Sequence, residues 1–211
     1  MRRTATISLI GLAALGCGGQ PKTAPEPSEH ALSGLAAQHI AVLPTYSVRV
    51  MPGLAWSAAI GRPSDVQKTL DADILAALDE RGLRKTWLFP PELEQSYKRN
   101  PTYATDPYTL AEEPLRSPTL ALDARLPEPL ASEIRTLVAL LNDVRFVLAP
   151  VELRLEKAGD GGHGVLRLVL MDARLSNVRW IGEIHGDTLP QFGPALTADV
   201  AAKLANVVAV P

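Results

Sequence analysis

The sequence predicts a mixed α/β domain, one mixed sheet with helices packed on it in the order β-α-β-α-β-β-β-α. Three patterns predict it. His39-Ile40-Ala41-Val42-Leu43-Pro44 is a compact apolar run closed by proline, as a buried strand is. Val66, Leu70, Ile74, Ala77 and Leu78 recur at helical spacing. Val151, Leu153 and Leu155 alternate with Glu152, Arg154 and Glu156, the pattern of a half-buried antiparallel strand. With 211 residues, 46% of them hydrophobic, the chain is long and apolar enough for one domain with a real core and is not wholly disordered.

Ahead of that domain stands a leader. Arg2 and Arg3 precede an apolar run from Ala5 to Leu15, too short to span a bilayer as a stop-transfer helix, and this predicts a secretory signal over residues 1–16. Ala14-Leu15-Gly16-Cys17 resembles the bacterial lipobox, with alanine where leucine is usual. The resemblance implies cleavage before Cys17 and acylation of its sulfur. The competing reading takes Cys17 as an ordinary small residue and cuts near Ala13-Ala14. Cys17 is the only cysteine, so no internal disulfide explains a thiol in an oxidising compartment. Gly18 and Gly19 follow it, not the aspartate that retains many lipoproteins at the inner membrane, so the resemblance implies an outer-membrane protein facing the periplasm. Residues 17–38 carry the lipidation site and a proline-rich tether.

Residues 39–211 form the single domain. After the first strand, Pro52-Gly53 and Gly61-Arg62-Pro63 mark turns. Ser64-Asp65-Val66-Gln67 has capping-box form, and Gly82 sits where a left-handed helix end is wanted. Asp65, Asp71, Asp73, Asp79 and Glu80 fall mostly opposite the apolar stripe and read as a solvated face. Lys85 to Phe89 is a second strand, stopped by Pro90-Pro91, with a short helix from Glu92 to Lys98. Residues 100–130 carry six prolines from Pro101 to Pro129, and a loop of that length is either functional or disordered. A helix from Ala131 to Asn142 follows, with Ile134, Leu137, Val138 and Leu141 on one face. Three antiparallel strands then run over Val144 to Glu156, Val165 to Asp172 and Val178 to Ile184. The first two are joined by a hairpin at Gly159 to Gly164 that lacks the following helix a phosphate cradle needs. Pro194 opens a closing helix with Leu196, Val200, Leu204 and Val207 on one face.

Ile40-Ala41-Val42-Leu43-Pro44, Arg145-Phe146-Val147-Leu148 and the stretch Leu168 to Arg174 leading to Val178-Arg179-Trp180-Ile181-Gly182-Glu183 together resemble the periplasmic α/β domain shared by the curli-secretion lipoprotein CsgG, the TolB amino-terminal domain and LpoB. Those proteins pair an IAVLPF-like strand with a late LVDA-x-TG-x-x-W-x-G hairpin. Here Leu43-Pro44-Thr45 replaces the LPF ending and Leu175-Ser176-Asn177 stands at the TG turn, with Trp180 expected to point inward beside Val178 and Ile184. The resemblance implies a cell-envelope binding or assembly protein without catalysis.

Without Arg2 and Arg3 the 21 basic residues become 19 against 23 acidic ones, and no basic patch points to nucleic acid. No serine-triad elbow and no H-E-x-x-H spacing occur, so no catalytic residue, metal ligand or cofactor is assigned. His30, His39, His163 and His185 are scattered, and His185-Gly186-Asp187 reads as a turn. Glu152 and Glu183 are candidates for an acid and base across the sheet, but pairing with Arg154, Arg167 or Arg179 explains them more simply. Tyr97, Tyr103 and Tyr108, in or beside the proline-rich insertion, are candidate partner-binding residues. Two readings stand. One is a lipid-anchored periplasmic adapter that binds an envelope protein through the insertion or an exposed sheet edge, with self-association left open. The alternative is a small-ligand-binding or hydrolytic lipoprotein with its site in the cleft where the first two strands end.

Overall fold

A computed structural model describes residues 31–141 and 143–208. The leader, Cys17 and the tether to His30 lie outside the described residues. One six-stranded mixed sheet carries the domain, in the order β3-β1-β4-β5-β6, with β2 beside the far half of β4. β1 (Ile40–Val42) runs parallel to β3 (Trp87–Leu88) and to β4 (Phe146–Ala158), while β4, β5 (Gly161–Asp172) and β6 (Asn177–His185) are antiparallel. On one face lie α1 (Ser57–Ile60), α2 (Pro63–Glu80) and α5 (Pro194–Val208). On the other lie α3 (Pro90–Arg99), α4 (Leu130–Ala139) and the ordered proline-rich segment between them.

Two apolar clusters, one per face, form the core. Val66, Leu70, Ile74 and Leu78 of α2 and Leu196, Val200 and Leu204 of α5 pack against Leu153, Leu155, Leu166 and Leu168. Gly164 admits α5 to the sheet: a Cβ there would meet Leu196 Cδ2 at 3.1 Å and Val200 Cγ2 at 3.2 Å. Opposite, Leu130, Ile134 and Leu137 of α4 cover Val147, Ala149, Val151 and Val169.

The first parallel strand is broken into β1 and β2 (Ser47–Val50) for a chemical reason. Pro44 has no amide proton, and the Thr45 N–H turns away from β4 to Asp71 Oδ1 at 2.8 Å, which also accepts the Thr45 hydroxyl at 2.6 Å. Gln67 Nε2 donates to the carbonyls of Thr45 and Tyr46 at 3.1 and 2.7 Å. This replaces the expected Ser64–Gln67 capping box: Pro63 is already the first helical residue, Arg62 takes the cap position without a side-chain bond, and Gln67 faces the strand. Asp71 therefore belongs to the strand junction, not to the solvated face. A capping arrangement does form at α3, where Glu92 Oε2 accepts the Phe89 N–H at 3.1 Å and Pro90-Pro91 open the helix. Gly82 adopts the left-handed conformation at φ 75°, as expected. Lys85 belongs to a 3-10 turn, so β3 keeps only two residues.

A register shift between Pro150 and Glu152 corrects the simple alternation expected of β4. Val151 joins the α4 side, whereas Leu153 and Leu155 face α2 and α5. The extra residue turns Glu152 to the face that the proline-rich segment covers, where Arg116 of that segment meets it at 2.7 Å, and not to open solvent. A second shift, between Leu170 and Met171, separates Trp180 and Ile184 on the α5 side from Val178 on the α4 side. The expected common orientation of these three is thus not formed.

Candidate functional site

The proline-rich segment, residues 100–130, is a strap packed across the sheet. Leu110, Leu115 and Leu126 are its buried apolar anchors. The Asp123 N–H donates to the Val178 carbonyl at 2.8 Å, the Val178 N–H to the Ala124 carbonyl at 3.0 Å, and the Leu126 N–H to the Ser176 carbonyl at 2.9 Å. The strap thus covers the first part of the outer β6 edge, so that stretch is not an exposed sheet edge open to a partner.

Polar anchors are buried as well. Arg167 donates from Nε to the Leu115 carbonyl at 3.2 Å and from Nη2 to the Ser117 carbonyl at 3.0 Å. Arg116, in the strap's 3-10 turn Glu113–Arg116, reaches Glu152 Oε1 at 2.7 Å and Glu113 Oε2 at 2.7 Å. Arg49 of β2 meets the same Glu152 oxygen at 3.2 Å. Arg154 holds Glu183 through two hydrogen bonds of 3.1 and 3.0 Å and Glu156 at 2.8 Å. Burial opposes the Arg154 charge, yet the bonds to Glu183 and Glu156 outweigh it and raise its pKa. For Arg167 burial prevails and lowers the pKa, despite Glu183 at 3.6 Å. Glu152 and Glu183, the candidate acid and base, are each held by two arginines as structural ion pairs, while Arg179 pairs with Asp123.

Glu112 is the residue that sequence reasoning missed. It is 2% exposed and its Oε2 has no hydrogen-bond partner among the described residues. Burial first, then the charges of Asp71 and Glu133, push its pKa well above the ordinary glutamate value. Only the contact between strap, α2 and α4 creates this environment, so no local signal announces it.

Tyr103 and Tyr108 stand out on the strap, 72% and 50% exposed, while Tyr97 on α3 is half-buried. The three do not form one packed cluster with the buried anchors. Partial burial, then Asp71, Glu94 and Asp106, raise the Tyr108 pKa. Of the histidines, His163 and His185 come together with ring centres 6.3 Å apart, a pairing the chain order hid, and His39 lies elsewhere. His185 closes β6 and Gly186-Asp187 follow it without the expected turn: the Gly186 N–H donates to the Gly164 carbonyl at 2.8 Å, the Asp187 N–H to Asp199 Oδ2 at 2.6 Å, and Lys203 donates to the His185 carbonyl at 3.1 Å. Among the described residues no group of three His, Cys, Asp or Glu side chains is arranged to hold a metal ion, and no helix is long and apolar enough to cross a membrane.

An open groove of about 430 Å³ lies where β1, β3 and β4 begin, between the ends of α3 and α4. His39, Lys85 and Arg99 supply its basic groups, and Leu88, Leu141 and Val144 part of its apolar wall. This is the opposite end from the strand-end cleft expected of a ligand-binding protein. At the strand ends the polar groups, Thr45, Asp71 and Gln67, bind one another.

No protein-family model and no curated protein matches the chain. Several solved structures do. A PelC dodecamer from Paraburkholderia phytofirmans is 15% identical, with 89% of this chain and 99% of that chain covered and a TM-score of 0.38. The LpoB C-terminal domain from Salmonella enterica is 13% identical over 76% of this chain and 88% of its own, with a TM-score of 0.35. An NMR structure of E. coli LpoB is 10% identical over 90% and 85%, also with a TM-score of 0.35. Scores and identities of this size fix no function for this chain, and its architecture stands on the sheet and helices described above.

Proposed function

We propose that this protein is a lipid-anchored envelope adapter that works by protein–protein contact, with Cys17 as the anchor and the strap as the docking surface. One observation carries the docking part: the strap is pinned from below by buried leucines and arginines while Tyr103 and Tyr108 point outward. A surface ordered before binding loses little conformational entropy when a partner arrives, and tyrosine offers apolar area with a hydroxyl handle. The anchor rests on the charge, apolar run and lipobox-like end of the leader.

Deleting the strap is no test, because it would uncover the apolar face of the sheet and take Arg116 from Glu152 and the Leu115 and Ser117 carbonyls from Arg167. The informative variant is Tyr103→Ala with Tyr108→Ala, both exposed. Crosslinking in the native envelope, followed by binding of the purified captured protein, should give one partner whose affinity falls at least tenfold in the double variant. A partner bound equally well by both forms would overturn the strap assignment.

A further inference from the structure

The groove at the strand starts lies at the margin of the strap, which contributes its first residue, Asn100, to the lining. Its cations are free to act. Glu92, the carboxylate in the groove lining, is already engaged by the Phe89 N–H at 3.1 Å and by Arg84 at 3.3 Å, and among the described residues no carboxylate pairs with Lys85 or Arg99. His39, Lys85 and Arg99 are all exposed around a wall that includes Leu88, Leu141 and Val144. A rim carrying the two cations Lys85 and Arg99 over apolar side chains suits a group with a negative head and an apolar continuation.

We propose that this groove binds the phosphate headgroup of an anionic phospholipid and seats the strand-start end of the domain on the membrane. Charge complementarity gives the ligand class, since each lysine or arginine close to an anionic leaflet contributes attraction that salt screens. The position of the chain gives the source. His39 on the rim directly precedes β1, and the Leu32 N–H bonds the Val207 carbonyl at 3.0 Å, so both described chain ends lie at this end of the sheet. Thirteen residues separate Cys17 from Ala31, a reach of at most about 50 Å when extended. The choice of a lipid over a soluble anion rests on the anchored reading proposed above; the groove's charge does not.

The test uses the full chain carrying Cys17→Ala, so that no acyl group contributes, and co-sedimentation with vesicles of phosphatidylglycerol and phosphatidylethanolamine or of phosphatidylcholine alone. The expected result is binding to the anionic vesicles that falls at least tenfold in Lys85→Glu with Arg99→Glu. It should survive Lys68→Glu with Lys157→Glu, an equal charge change at exposed positions away from the groove. The same leader is present in every arm. Equal loss in both double variants, or equal binding to neutral and anionic vesicles, would overturn the proposal. So would inorganic phosphate, or an acidic peptide such as polyglutamate, binding the groove with the same sensitivity to Lys85→Glu and Arg99→Glu while vesicles do not bind. Lys85→Gln with Arg99→Gln, a milder change, should show an intermediate loss and guards against misfolding. Fractionation of the Cys17 variant from cells reports on the anchor separately, so either idea can fail alone.

Discussion

At the scale of single residues, the strap region turns on groups that are expensive to bury. Glu112 keeps its proton in the folded state over a pH range where the unfolded chain has lost it, because burial and the nearby Asp71 and Glu133 raise its pKa. The folded state therefore binds the extra proton, and stability falls as pH rises from about 4.5, the unfolded value, to the raised folded value. Asp71 adds a contribution of the same sign, since burial raises its pKa although the two Thr45 bonds oppose the shift. Glu112→Gln removes the titration and should stabilise the domain at pH 8 by about 1–3 kcal/mol, with little effect at pH 4. Urea unfolding at the two pH values checks it, and an equal change at both would mean that Glu112 does not titrate differently on folding. Glu183 is the opposite case. Its removal leaves Arg167, with 8% of its side chain exposed, facing no acidic partner within salt-bridge distance among the described residues, so Glu183→Ala should cost about 3–5 kcal/mol. A urea midpoint within error of the parent would show that the ion pair is dispensable.

At the scale of elements, helices were easier to read than strand faces. The apolar stripes of α2 and α5 are local patterns, and Gly82, Pro63 and Pro194 mark their ends from within a few residues. Strand order near the end of the chain was legible for the same reason, because tight turns join β4, β5 and β6. What the chain order concealed depends on distant partners. Asp71 sits off the helical stripe like any surface carboxylate, and only Thr45, 26 positions away, makes it structural. The bulge in β4 falls at Pro150, a residue that central strands tolerate mainly at bulges, but the proline alone does not tell which face the following residues take, and that places Glu152 beneath the strap. The prolines of the strap pointed to a loop, while its packing resides in three leucines spaced too irregularly to form a period. Leu115 is fully buried, so Leu115→Ala should cost about 2–5 kcal/mol and open the strap to protease, whereas Leu122→Ala, 63% exposed, should change stability by less than about 0.5 kcal/mol. Limited proteolysis that cuts residues 100–130 equally in both variants would show that Leu115 does not hold the strap.

For the whole molecule, the two proposed contacts occupy different regions and need different forces. The strap presents tyrosines over the sheet, while the groove with Lys85 and Arg99 opens at the strand starts, near both described chain ends. Acyl chains on Cys17 would hold the protein through apolar burial, which salt does not weaken, and several chains make attachment durable where one is marginal. The groove would add only a screened attraction, strong at low ionic strength and small at 0.5 M salt. Wild-type protein should therefore stay with outer membranes through a 0.5 M salt wash. Cys17→Ala should remain partly bound at low salt and leave in the wash, with the urea midpoint unchanged because the core described here is built from residues beyond Ala31. Retention of the Cys17 variant through the salt wash would remove the lipid anchor from the proposal. Release of the variant already at low salt would keep the anchor and count against the groove. Attachment that resists salt and attachment that salt removes are thereby separated in one fractionation series, since the proposed anchor rests on Cys17 and the proposed seating on Lys85 and Arg99.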